Sequence, residues 1–229
     1  MRVLDPGGPW KAAVGVFATS AGTAMVVKDL RPMWAPLRVT YGRWMQAREL
    51  RALRQLEGLP GVPRVLGIID RNAFAEAMIE GEHFHRAIDA ARLPRIFANL
   101  ARTIASLHAR GVVHLDLREK KNILITRDDE TVLLDFESAL SLGAGPVGRW
   151  LTRVLARLDR SALLKFKAKL APELLTPREQ ERLKRYDRMA RLWFVKDLVG
   201  FLKRRLSGTR RTPRRTGQGT SKQSNTQDV

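Results

Sequence analysis

Cysteine is absent from the 229-residue chain. That excludes disulfides and thiolate metal sites, and it suits a reducing compartment. No stretch approaches the roughly 18 consecutive apolar residues that a membrane span needs. Met1 to Trp10 is too polar, and too rich in glycine and proline, to serve as a secretory leader. The sequence therefore predicts a cytoplasmic protein, either soluble or peripheral at a membrane. Histidine is scarce, with 4 in all. Two of them, His83 and His85 in "EHFH", have no carboxylate or third histidine at helical spacing, so no metal site is expected there. Internal repeats are missing as well.

Negative charge is the other shortage. Lys and Arg number 42 against 23 Asp and Glu, a formal charge of +19. The imbalance is uneven: residues 1–148 hold 20 cations and 16 anions (+4), whereas residues 149–229 hold 22 and 7 (+15). The second part should attract a polyanion, such as an anionic membrane surface, nucleic acid or a phosphorylated substrate. Few aromatic residues stand among its cations to stack on bases, which ranks nucleic acid behind membrane.

The pattern along the chain is β-rich first and helical later. "MRVLD", "WKAAVGVFAT" and "TAMVVKDL" read as strands, separated by the breaker "PGGP" and the turn "SAG". Tyr41 to Glu57 suits a helix with Trp44, Leu50, Leu53 and Leu56 on an apolar face. "RVLGIID" and "AFAEAMIE" add two strands. Beyond Glu80-Gly81 a long helix is expected over Arg92 to Arg110, and "NILIT" and "TVLLDF" should form a short hairpin. From about Arg149 the chain reads as basic helices. Thr176-Pro177-Arg178-Glu179 carries the signature of a capping box. Residues 207–229 contain no large apolar side chain except Val229, and the sequence predicts a disordered basic tail.

The strip "GVVHLDLREKKNILI", Gly111 to Ile125, holds the chemistry. Transfer of a phosphoryl group from ATP needs a carboxylate to orient an attacking hydroxyl and accept its proton. It needs oxygen ligands for magnesium, and a lysine on the phosphates that stay behind. Asp116 suits the first task, Asn122 with Asp135 the second, and Lys28 in "AMVVK" the third. Glu49, 21 positions after Lys28 on the first helix, could hold that lysine.

"LHARGVVHLDLREKKNILI" followed by "VLLDFES" resembles the catalytic and metal-binding segments of the protein kinase-like superfamily, over roughly residues 1–140. The resemblance implies a two-lobed α+β fold with a small β-rich N-lobe (1–80) and a reduced helical C-lobe (81–206). It implies Asp116 as catalytic aspartate, with Arg118 beside it on the transferred phosphate. Asn122 and Asp135 would be magnesium ligands, Lys28 and Glu49 the nucleotide-side ion pair, and Glu80 the hinge that meets the adenine. Gly7 and Gly8 would form a shortened phosphate loop. ATP and Mg2+ are the implied cofactors.

Three departures stand out. Five residues, not four, separate Asp116 from Asn122. No G-x-G-x-x-G occurs, and Glu137 replaces the glycine of the usual D-F-G. "APE" at Ala171 to Glu173 ends 38 positions beyond Asp135 without its usual sequel, and is read as coincidence. This cut-down second lobe is similar to that of atypical bacterial kinases, the RIO-type enzymes and the lipopolysaccharide Kdo kinases. The expected activity is transfer of the γ-phosphate to a hydroxyl acceptor, either a protein Ser/Thr or a membrane-linked sugar or lipid. The alternative is a pseudokinase-type module that docks on anionic membrane or nucleic acid through its basic lobe.

Overall fold

The computed structural model describes residues 2–18, 24–85, 87–143 and 145–192. The "SAG" turn, the end of the C-lobe and the basic tail expected from the sequence lie outside these residues.

Five antiparallel strands form the first layer: β1 (Arg2–Asp5), β2 (Ala13–Ala18), β3 (Ala24–Asp29), β4 (Val65–Asp70) and β5 (Ala73–Ala77), in the order β1-β2-β3-β5-β4. Each is one of the strands that the alternation of the sequence predicts. The β1–β2 connection is a closed turn. Gly7 sits at φ +71°, where a Cβ would come within 2.7 Å of Ala13 N. A residue with a side chain could not make this turn.

A short helix α1 (Ala35–Leu37) and a π-turn lead into α2 (Arg43–Gln55). Leu50, Leu53 and Leu56 are buried, as their spacing demands, but Trp44 is 54% exposed. Its ring is held outside the core by the Arg48 guanidinium, 4.5 Å from its centroid. Periodicity cannot tell an aromatic that packs on the core from one that stacks on a surface cation.

The second layer is built on α3 (Leu93–Ala109), whose Ile96, Leu100, Ile104 and Leu107 are all buried. Short strands surround it: β6 (Glu82–His83) before it, then β7 (Val112–Val113), β8 (Ile123–Ile125), β9 (Thr131–Leu133) and β10 (Leu140–Ser141). They make a three-stranded sheet in the order β6-β8-β9 and a β7–β10 pair. The 25-residue α4 (Pro146–Leu170) and α5 (Pro177–Leu192) close the described chain. The predicted capping box is formed at α5. Glu179 N donates to Thr176 Oγ1 at 3.2 Å, and Thr176 N donates to the Glu179 carboxylate at 3.0 Å.

One apolar cluster joins the layers. Leu50, Leu53 and Leu56 of α2 and Phe74 of β5 pack with Phe97 and Leu100 of α3, Leu133 of β9, and Ala162 and Phe166 of α4. Met1–Arg191 is accordingly one compact unit. No helix among the described residues is long and apolar enough to cross a membrane.

Candidate active site

Lys28 projects from β3 and forms an ion pair with Glu49 of α2, whose side chain is 2% exposed. The same Glu49 oxygen accepts a hydrogen bond from Phe136 N at 3.3 Å. One buried carboxylate thus ties the sheet, the helix and the Asp135-Phe136-Glu137 segment together. Arg48, one residue earlier, donates to the carbonyls of Ser138 and Ala139 at 3.0 and 3.1 Å. Successive residues of α2 therefore hold both sides of that segment.

The Gly111–Ile125 strip is held from below by Asp159 of α4, which is 1% exposed. Its carboxylate accepts from His114 N at 2.9 Å and from Leu115 N at 2.8 Å, and bonds His108 Nε2 at 2.9 Å. Leu115 is locked at φ +66°, a left-handed conformation that an L-residue adopts only when its surroundings enforce it. That strain aims Asp116, the next residue. His114 accepts from Asp116 N at Nδ1 (3.4 Å) and donates from Nε2 to Leu134 O (3.0 Å). This assignment, inferred from the bonding pattern, describes a neutral imidazole. Burial favours the same state by lowering the pKa, against the opposing pull of Asp159.

The extra residue between Asp116 and Asn122 is absorbed in a 3-10 turn over Lys120–Asn122. Asn122 is 1% exposed, and its Nδ2 donates to Asp116 O at 3.0 Å and to Asp116 Oδ2 at 3.3 Å. The amide oxygen is then the atom of that group left for a cation. Asp135 also adopts a left-handed backbone, φ +64°, immediately after the β8–β9 hairpin. Lys28, Glu49, Asp116, Asn122 and Asp135 thus come from β3, α2 and two loops, and the fold joins them through the contacts just described.

Glu76 of β5 joins this group, its carboxylate 4.0 Å from Lys28 Nζ. Burial, together with Glu49 and Asp135, pushes Glu76 up to about 7 despite the neighbouring Lys28. Burial, Asp135 and Glu49 likewise push Glu137 up to about 7. Desolvation works against the charge on Lys28, but Glu49, Glu76 and Asp135 outweigh it and raise its pKa. Negative charge is in surplus here, and a divalent cation would neutralise it. The oxygen donors of Asp135 and Asn122 are of the hard type that magnesium prefers, so the donor set fits that ion. No group of three or more His, Asp or Glu among the described residues could hold a metal alone. Magnesium would be held jointly with phosphate oxygens.

The remaining expected residues are placed less closely. Arg118 is exposed on the strip, two residues from Asp116. The Glu80 side chain is 79% exposed and lies 3.8 Å from Arg127. Next to it, a Cβ on Gly81 would come within 2.4 Å of Ile125 O, so the chain crosses here in close contact with β8. The amides of Gly7 and Gly8 are already engaged, with Asp5 Oδ1 at 2.9 Å and Lys11 O at 3.0 Å. In this turn they are not open to a phosphate, unlike the phosphate loop expected from the sequence.

Residues 76–187 match the lipopolysaccharide kinase (Kdo/WaaP) family. That family is of the protein kinase-like superfamily, which agrees with the resemblance read from the sequence. The matched span of this kinase-like chain holds Asp116, Asn122, Asp135 and Asp159, while Lys28 and Glu49 precede it and are brought in by the fold. No curated protein matches the chain. Sequence reasoning passed over Asp159, Glu76 and Arg48. For Asp159 a signal existed, because it is the only acidic residue in the 25 of α4. Glu76 and Arg48 carry no mark in the sequence that separates them from surface charges.

Proposed function

We propose that the protein transfers the γ-phosphate of ATP to a hydroxyl group on a membrane-linked sugar or lipid. The observation that carries this reading is the link from Lys28 through Glu49 to Phe136 N, which sets the cationic end of β3 against the segment bearing Asp135. In this reading Lys28 holds the phosphates that remain with ADP. Asn122 and Asp135 hold magnesium, which when bound would shield the charge of the phosphates. Asp116 orients the acceptor hydroxyl and takes its proton as the new O–P bond forms and the bond to the β-phosphate oxygen breaks. Arg118 lies on the exposed side of the strip, where the transferred group would pass. His114 and Asp159 position Asp116 without touching substrate.

The sugar or lipid acceptor is favoured over a protein Ser/Thr by the family match, which covers most of the second layer. The test is transfer of labelled γ-phosphate from ATP into separated membrane-lipid, glycolipid and protein fractions. Label should enter a lipid or glycolipid with the wild type and not with Asp116→Ala, which should still bind nucleotide. Label in protein alone would overturn the acceptor assignment. An Asp116→Ala variant with wild-type turnover would overturn the catalytic one.

A further inference from the structure

The first half of α4 shows water a surface that a soluble core would not leave open. Gly148, Thr152, Ala156 and Asp159 face inward and are buried. On the outside, Val147 is 70%, Trp150 59%, Val154 36% and Leu158 45% exposed. At about 100° per residue these four fall within about 80° of the helix circumference. Arg153 and Arg157, both exposed, run along one flank of that stripe. The single acidic residue of the helix, Asp159, is turned inward and consumed by His108, His114 and Leu115. The outer surface is therefore apolar and cationic with no anion in it.

We infer that this stripe of α4 is a membrane-docking face, which lies in the interface of an anionic bilayer with Trp150 and Val154 inserted and Arg153 and Arg157 on lipid headgroups. A helix that presents an apolar band with a tryptophan, bordered by arginines, has the composition of one that lies in a bilayer interface. Charge selects the occupant. Residues 203–229 of this chain carry 8 cations and 1 anion, and a second copy would present the same arginines, so both would be repelled. Anionic lipid attracts them, and each cation adds to binding that salt weakens. The position is suited to the chemistry: α4 begins eleven residues after Asp135, and through Asp159 it grips the strip that aims Asp116. The benefit to a membrane-borne acceptor rests on the function proposed above, whereas the docking itself does not.

The experiment is flotation of the full chain, without ATP, on vesicles of phosphatidylcholine with and without phosphatidylglycerol. The wild type should float with the anionic vesicles only, and less in high salt. Trp150→Ser/Val154→Ser should weaken binding at least about tenfold, since it removes the inserted area. Arg153→Glu/Arg157→Glu should weaken it comparably and flatten the salt dependence. All four positions are exposed, so thermal midpoints should match the wild type. Wild-type flotation by both double variants would assign the binding to charge elsewhere and overturn the proposal. So would a wild-type dimer that Trp150→Ser/Val154→Ser dissolves, or binding to nucleic acid with none to vesicles. Failure of phosphotransfer would leave the flotation result intact, so the two readings fail separately.

Discussion

Lys28 is a buried cation whose neighbours are carboxylates, which changes what its replacement would do. Lys28→Met keeps most of the side-chain volume but leaves Glu49, 2% exposed, without its partner. Removing one member of a buried pair costs roughly 3–5 kcal/mol. The variant should lose both activity and stability, and Lys28→Met/Glu49→Gln should recover much of the stability and none of the activity. Denaturant midpoints beside turnover would check this. Glu76 gives a pH prediction for the protein without nucleotide. Its folded pKa, about 7, lies above the ordinary 4.5, so the folded state holds the proton more tightly than the unfolded one. Stability should therefore fall as pH rises from about 4.5 to about 7 and level off above that. Glu76→Gln should remove part of that fall and be more stable than wild type at pH ~8 and not at pH ~4.5. Glu137, also raised to about 7, should keep the remainder. Urea midpoints at the two pH values decide it.

At the scale of elements, α4 is both a wall of the core and the anchor of the strip that bears Asp116. Asp159 satisfies two backbone amides and His108, all from other elements, at 2.8–2.9 Å. Asp159→Ala would strand those donors in the interior, where each unsatisfied polar group costs about 1–3 kcal/mol. We expect a drop in thermal midpoint together with a fall in kcat larger than any rise in KM. The fall in kcat follows because Leu115 would be released from its left-handed conformation and Asp116 would lose its aim. Asp159→Asn, which can still accept, should lie between the two. A variant with lower stability but unchanged kcat would limit Asp159 to a structural part. The 3-10 turn over Lys120–Asn122 works at the same scale, since it brings Asn122 back to Asp116 despite the longer loop.

For the whole molecule, the site is assembled from both layers, so ligand binding and folding should be coupled. ATP with magnesium should raise the thermal midpoint, by the equivalent of about 2.7 kcal/mol at a hundred times Kd. EDTA should remove most of the rise, since in the proposed site magnesium would neutralise the surplus charge around Asp135. Asp135→Ala should remove more of it than Asn122→Ala, because it withdraws a full charge from the cation. Thermal shift titrations with and without magnesium would measure this. Equal shifts in Asp135→Ala and wild type would sink the metal-site reading.

The sequence by itself determined the seven longer strands (β1 to β5, β8 and β9), the two main helices, the α5 cap and the order of Lys28, Glu49, Asp116, Asn122 and Asp135, but not the two-residue strands β6, β7 and β10. These depend on period, capping chemistry and motif spacing, which are local properties of the chain. It also showed the charge imbalance of the second part. Tertiary structure decided what depends on neighbours distant in sequence. Trp44 looks like a core residue by spacing, yet it faces water with the Arg48 guanidinium over its ring. Asp159 reads as one more charge on a basic helix, and becomes a buried acceptor only when α4 passes under the strip 44 and 45 residues earlier. Gly7 and Gly8 suggest a phosphate loop by position, but their amides are taken by Asp5 and Lys11 once β1 and β2 pair. Burial and hydrogen-bond partners are set by which surfaces meet, and only the folded chain brings those surfaces together.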